Sequence, residues 1–131
     1  MSIGLDTFVV IRLLTGELVA AATQAQARLL AAHRLRQQVI VSDVVLAEAY
    51  HALKYHYDIE PKAIRQTLLH MLSSGMVQAE TGSAALAVLS EKLSSKAGFV
   101  DRLIQARYHA DQRSTWTLDQ AKLGKAEFIG V

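Results

Sequence analysis

With 131 residues, 51% of them hydrophobic, 20% charged, one proline and seven glycines, the chain has the make-up of a single folded domain spanning 1–131. That composition excludes a disordered, collagenous or low-complexity protein. The absence of cysteine excludes a disulfide scaffold, thiol catalysis, iron–sulfur centres and cysteine-based zinc sites. Fourteen basic against twelve acidic residues give a formal charge of +2, too small to establish a nucleic-acid partner by itself. Asp6 and the lack of a basic region before a long apolar run speak against a signal peptide. The longest apolar-looking stretch, Leu18 to Ala32, is broken by Thr23, Gln24, Gln26 and Arg28. The expectation is a soluble cytoplasmic protein with no membrane association.

Ile3-Gly4-Leu5 reads as a short buried strand, followed by Asp6-Thr7 and a helix from Phe8 to Leu14 with Thr7 as its cap. Thr15-Gly16 breaks that helix, and Glu17 to about Leu35, rich in Ala, Leu, Gln and Arg, predicts a second one. Val39-Ile40-Val41 is a second β-branched run, and Ser42-Asp43 offers a cap before a helix from Val44 to Tyr57. Pro61 suits the first turn of a helix reaching about Leu72, and Ser73-Ser74-Gly75 stops it before a third strand, Met76 to Ala79. Helices are then expected from Ser83 to Leu93 and, after Gly98, from Phe99 to Ala110. Ser114 to Leu118 predicts a fourth strand, and Phe128 to Val131 a short fifth. Strands separated by helix pairs cannot be hairpins. The expected fold class is therefore α/β: a mostly parallel sheet of four to five strands with helices on both faces.

In such a sheet the ligand site lies beyond the carboxyl ends of the strands. Asp6 directly follows the first strand and Asp119 the fourth, each after a leucine expected to be buried in the sheet. Glu48 is one of only two polar residues in Val44 to Leu53. Its neighbours on the helix surface are Val44, Ala47, His51 and Ala52, while Leu46, Ala49, Tyr50 and Leu53 make the opposing apolar face. Glu48 is thus able to point toward the same rim as Asp6. Asp101 sits in the first turn of its helix, where the dipole favours a negative charge with or without a function. These four acids are 42, 53 and 18 residues apart, and a doubly wound sheet brings their element ends to one crevice. Mutual repulsion makes such a cluster unfavourable without a cation, so the constellation implies Mg²⁺ or Mn²⁺ held by oxygen ligands.

Gly4-Leu5-Asp6-Thr7 with Val9 to Leu14, Val41-Ser42 with Leu46-Ala47-Glu48 and Leu53, Gly98-Phe99-Val100-Asp101 with Leu103-Ile104, and Thr117-Leu118-Asp119 together resemble a PIN domain. This is the nuclease fold of the toxins of VapBC-type toxin–antitoxin pairs and, more distantly, of flap endonucleases. The resemblance covers essentially the whole chain and implies a three-layer α/β/α sandwich. It implies that Asp6, Glu48, Asp101 and Asp119 are both metal ligands and catalytic residues, with Thr117 as a hydroxyl partner near the metal. It also implies an endoribonuclease with an RNA substrate, a homodimer, and a cognate antitoxin whose C-terminal segment covers the site. Family members commonly carry Asn two positions after the first Asp, where this chain has Phe8.

Setting those four acids aside leaves fourteen basic against eight acidic residues, a balance that suits a polyanion approaching a metal-neutralised cleft. Arg12, Arg102, Arg107, Lys122 and Lys125 are candidate phosphate contacts, although ordinary solvated charge is the better account of any single one of them. The five histidines show no close metal-ligand pair. Trp116 and Tyr50 read as core aromatics rather than base-stacking platforms. Asp43 fits the first turn of its helix, and Glu80 follows an edge strand that carries it away from the site. Two other functions fit less well. A phosphoryl-transfer domain with Asp6 as nucleophile wants a second Asp where Phe8 stands, or a Lys after a late strand. A degenerate PIN-like module would bind RNA or a partner without cutting, and only Phe8 favours it.

Overall fold

The computed structural model describes residues 2–90, 98–119 and 125–130. It is an α/β protein whose chain forms two compact units, Met1–Glu80 and Thr81–Val131.

The first unit is built on three parallel strands, β1 (Ser2–Gly4), β2 (Gln38–Val41) and β3 (Gln78–Ala79), in the order β1-β2-β3. Ile3 pairs with Val39 and Ile40 with Gln78. The Leu5 N–H donates to the Ile40 carbonyl at 2.9 Å and the Glu80 N–H to the Val41 carbonyl at 2.8 Å, carrying both ladders past the strand ends. The central strand buries Val39 and Val41, as its unbroken apolar run predicts. Among the described strands β3 is at an edge of its sheet, and Glu80 follows it.

Parallel neighbours need crossovers, and helix pairs supply them. Between β1 and β2 run α1 (Thr7–Thr15) and α2 (Val19–Arg34), which meet at a bend of 103°. Gly16 makes that turn because its φ of 70° lies in the left-handed region, from which its N–H donates to the Arg12 carbonyl at 2.9 Å. The turn is fastened from outside: the Tyr57 hydroxyl donates to Glu17 Oε2 at 2.9 Å and accepts from Arg12 at 3.4 Å. Among the described residues no single helix is long and apolar enough to cross a membrane.

Between β2 and β3 run α3 (Asp43–Tyr55) and α4 (Pro61–Leu72). α3 buries Leu46, Ala49, Tyr50 and Leu53, the apolar face expected from the spacing, and packs on α1 and α4. α4 opens with Pro61, whose missing N–H would have no helical partner in the first turn, and buries Ile64, Leu68, Met71 and Leu72. Ser42 caps α3, its Oγ accepting the Val45 N–H at 3.2 Å. We expect Ser42→Ala to lower stability by about 1 kcal/mol, the usual worth of such a cap, read as a shift of the denaturant midpoint at unchanged slope.

The second unit contains α5 (Ser83–Ser90) and α6 (Phe99–Ala110), which pack together, and a parallel pair β4 (Trp116–Thr117) and β5 (Glu127–Phe128). Ala85, Val88 and Leu89 of α5 and Phe99 and Leu103 of α6 are its buried apolar side chains among the described residues. Buried Gln105 holds the approach to β5 against α6, its Oε1 accepting the Lys125 N–H at 2.8 Å.

Several expectations need adjustment. The first strand starts at Ser2 and ends at Gly4, and the long second helix begins at Val19, because Leu18 has a φ of 52°. The described strands form a three-stranded and a two-stranded sheet, with every pairing parallel. The end of the expected helix at 91–93 and the last strand residue, Val131, lie outside the described residues. Trp116 is not a core residue: it is 70% exposed, and Leu118 is 75% exposed. β4 contributes only two ladder residues, too few for same-face neighbours to cover an indole. Tyr50 is buried as expected.

Candidate functional site

Asp6 leaves β1 and becomes the cap of α1, its Oδ1 accepting the Val9 N–H at 3.0 Å. The cap is therefore Asp6 and not Thr7. The shift of one residue matters chemically. A capping carboxylate is held at the positive end of a helix with one oxygen engaged, while the exposed side chain still faces solvent.

Thr7, released from capping, donates its Oγ1 to Glu48 Oε2 at 3.3 Å. That contact joins residues 41 apart and brings Glu48 of α3 beside the turn that Asp6 begins. Glu48 is exposed and stands on the side of α3 away from Leu46, Ala49, Tyr50 and Leu53. Further along the same helix the His51 and Tyr55 rings stack at 5.8 Å, with the Lys54 ammonium 5.1 Å from the Tyr55 ring centre. Thr7 was missed as an anchor. Its signal was a hydroxyl directly following a candidate acid.

In the second unit Asp101 is the third residue of α6 and half-buried. Its carboxylate folds back over the helix start: a Cβ on Gly98 would lie 3.6 Å from Asp101 Oδ2. Asp119 is exposed just beyond β4, and its N–H donates to Thr117 Oγ1 at 3.0 Å, so the threonine fixes the backbone that carries the acid. Asp101 and Asp119 line one cleft of about 250 Å³, together with Thr117, Ile104 and Trp116. The last two were not anticipated there. An apolar residue in a strand or on a helix signals burial, not the rim of a polar cleft.

The four candidate acids thus fall as two pairs. Asp6 and Glu48 belong to the first unit and Asp101 and Asp119 to the second. Among the described residues no three carboxylate or imidazole side chains form a group able to hold a metal ion. The donor chemistry itself suits a hard divalent cation, since every candidate ligand is a carboxylate and the chain has no thiol. Of the candidate phosphate contacts, Arg12 is engaged with Tyr57, and Arg107 lies 3.4 Å from Asp111 and donates to Thr81 at 3.3 Å. Arg102 and Lys125 line a cleft of about 370 Å³ beside α5 and α6, and position 122 lies outside the described residues. Comparison with family models, curated proteins and solved structures finds no match for this chain.

Proposed function

We propose that the chain is a Mg²⁺- or Mn²⁺-dependent endoribonuclease, a PIN-like domain with a three-layer α/β/α fold, in which Asp6, Glu48, Asp101 and Asp119 are the metal-binding and catalytic carboxylates. The observation that carries this reading is the cleft of about 250 Å³ into which Asp101 and Asp119 converge from residues 18 apart. Two carboxylates lining one small cleft offer the oxygen ligands that a hard divalent cation takes. The Thr7–Glu48 hydrogen bond adds support, because it brings the third acid to the turn that bears the fourth. The toxin role, with a cognate antitoxin and a homodimer, belongs to the same proposal and draws its support from the PIN resemblance of the sequence.

A divalent cation held by such carboxylates supplies positive charge to a phosphodiester and makes bound water more acidic. The chain's own contribution is to place the acids. Capping by Asp6 fixes its carboxylate at the start of α1, Thr7 orients Glu48, and Thr117 fixes the backbone of Asp119. Glu48, one of whose oxygens is oriented by the threonine hydroxyl, would bind the metal or help to take a proton from the attacking water. Attack by water leaves a 5′-phosphate and a 3′-hydroxyl. It needs no neighbouring 2′-hydroxyl, so the preference for RNA rests on the family resemblance.

The test uses metal-stripped protein, wild type and Asp6→Asn/Asp101→Asn, incubated with mixed cellular RNA with and without Mg²⁺ or Mn²⁺. Wild type should cut only with metal and leave 5′-phosphates, and the double variant should be inert. A second reading, a PIN-like module that binds without cutting, is favoured by Phe8, which is 73% exposed where the family commonly has Asn. Equal inactivity of both preparations, with tight RNA or partner binding by wild type, would decide for it.

A further inference from the structure

Trp116 is the chain's one tryptophan, and it stands in the open at the boundary between two clefts. On one side it lines the acidic cleft with Asp101 and Asp119. On the other it lines an open depression of about 480 Å³ with Tyr108, Ser114 and Thr115. α6 continues the same surface, since Asp101, Ile104 and Tyr108 recur at helical spacing on one of its faces. Ile104 is 47% and Tyr108 44% exposed. From the two carboxylates, then, an apolar and aromatic strip runs outward along α6 to the indole.

The far side of Ser114-Thr115 has different chemistry. A third cleft, of about 280 Å³, is bounded by those two residues together with His109, Arg113, Lys125 and Glu127. Arg113 lies 3.0 Å from Asp111 and keeps its other guanidinium nitrogens in a side chain that is 62% exposed. One short segment therefore has aromatic rings on one flank and, on the other, the cations Lys125 and Arg113 set among the acids Glu127 and Asp111. Single-stranded nucleic acid asks for this combination: a π-face for each unpaired base and cations that track the backbone. A protein interface core would instead be depleted of charge.

We infer that Trp116, with Tyr108, is a stacking shelf for an unpaired base of single-stranded RNA next to the Asp101–Asp119 cleft, with Lys125 and Arg113 beside its phosphates. This makes Trp116 a residue that selects unpaired substrate. The inference deepens the nuclease reading and rests on it for the role of the acid cleft, but the shelf itself is testable without cleavage.

Because the chain has a single tryptophan, its fluorescence reports the shelf directly. Metal-stripped wild type is titrated with a short unstructured oligoribonucleotide and with the same oligomer carrying abasic central positions. The intact oligomer should quench the indole saturably, and the abasic one, of equal charge, should quench it far less. By anisotropy of a labelled oligomer, Trp116→Ala should bind about 5- to 150-fold more weakly, the range for one lost stacked base. Trp116→Phe should recover most of that loss, and circular dichroism should find both variants folded, since the ring is exposed. Unchanged affinity of Trp116→Ala, unchanged emission at saturation, or equal quenching by the abasic oligomer would overturn the shelf. So would an emission shift that follows protein concentration instead of RNA, which would mean that a second copy covers the ring. The two readings fail separately. Quenching without any metal-dependent cleavage by wild type overturns the nuclease and keeps the shelf. Cleavage by wild type and Trp116→Ala alike, without quenching, does the reverse.

Discussion

Asp6→Asn should abolish metal-dependent RNA cleavage while leaving the protein as stable as wild type. The separation follows from the observed cap and the proposed metal-binding role. As the cap of α1 it accepts the Val9 N–H through Oδ1, and an asparagine oxygen does this equally well, since Asn and Asp rank together at that position. In the proposed metal-binding role it must carry a negative charge, and the amide does not. We expect a loss of at least about 10²-fold in cleavage rate, the scale found when one charge-stabilising group is removed from an active site. The thermal midpoint should hold. Asp6→Ala removes both functions, so it should match the activity loss and add a destabilisation of about 1 kcal/mol. A variant series in which activity tracks the thermal midpoint, with Asp6→Asn still active, would reduce Asp6 to a helix cap. Gel-resolved cleavage of RNA and a denaturant titration on the same preparations give the answer.

Leu46→Ala should cost about 2–5 kcal/mol, a large part of the ~5–15 kcal/mol that holds a typical domain together. Leu46 is fully buried in the first turn of α3, the helix that packs on both α1 and α4, so its removal leaves a hole that no single neighbour can fill. The site should suffer indirectly. Glu48 stands two residues further along the same helix, and its bond to Thr7 depends on α3 lying firmly against α1. Activity should therefore fall more steeply with temperature in Leu46→Ala than in wild type, whereas Leu46→Met, which conserves volume, should cost less than about 1.5 kcal/mol. Denaturant midpoints at unchanged slope test the first part, and cleavage measured at two temperatures tests the second. A Leu46→Ala loss below about 1 kcal/mol would mean that the α1–α3–α4 core closes over the gap, contrary to the packing described above.

The helices were legible because their signals are local. α4 and α6 run over Pro61–Leu72 and Phe99–Ala110, the spans read from the Pro61 start, the Ser73-Ser74-Gly75 stop and the Gly98 reset. The buried face of α3 followed from a 100° period alone, whereas the exposure of Glu48 came from the structure. The parallel pairing of β1, β2 and β3 followed from the helix pairs between them, since only a crossover can join such strands, while that of β4 with β5 came from the structure. Strand ends were harder. β3, β4 and β5 have two residues each, too short for any alternation to appear in sequence.

What the order of residues determined by itself, then, was the α/β class, the helices, the parallel pairing of the first three strands and four acids as the residues worth testing. The tertiary structure decided the rest, because each remaining question turned on which group lies opposite another. Asp6 and Thr7 are both good caps by type, and only the geometry around Val9 N–H chose the carboxylate and freed the hydroxyl for Glu48, 41 residues away. Asp101 and Asp119 have no local reason to share a cleft, and the fold of the second unit supplies it. Trp116 has the composition of a core residue, but burial depends on neighbours that a two-residue strand does not bring, so the ring stands in solvent beside the acids.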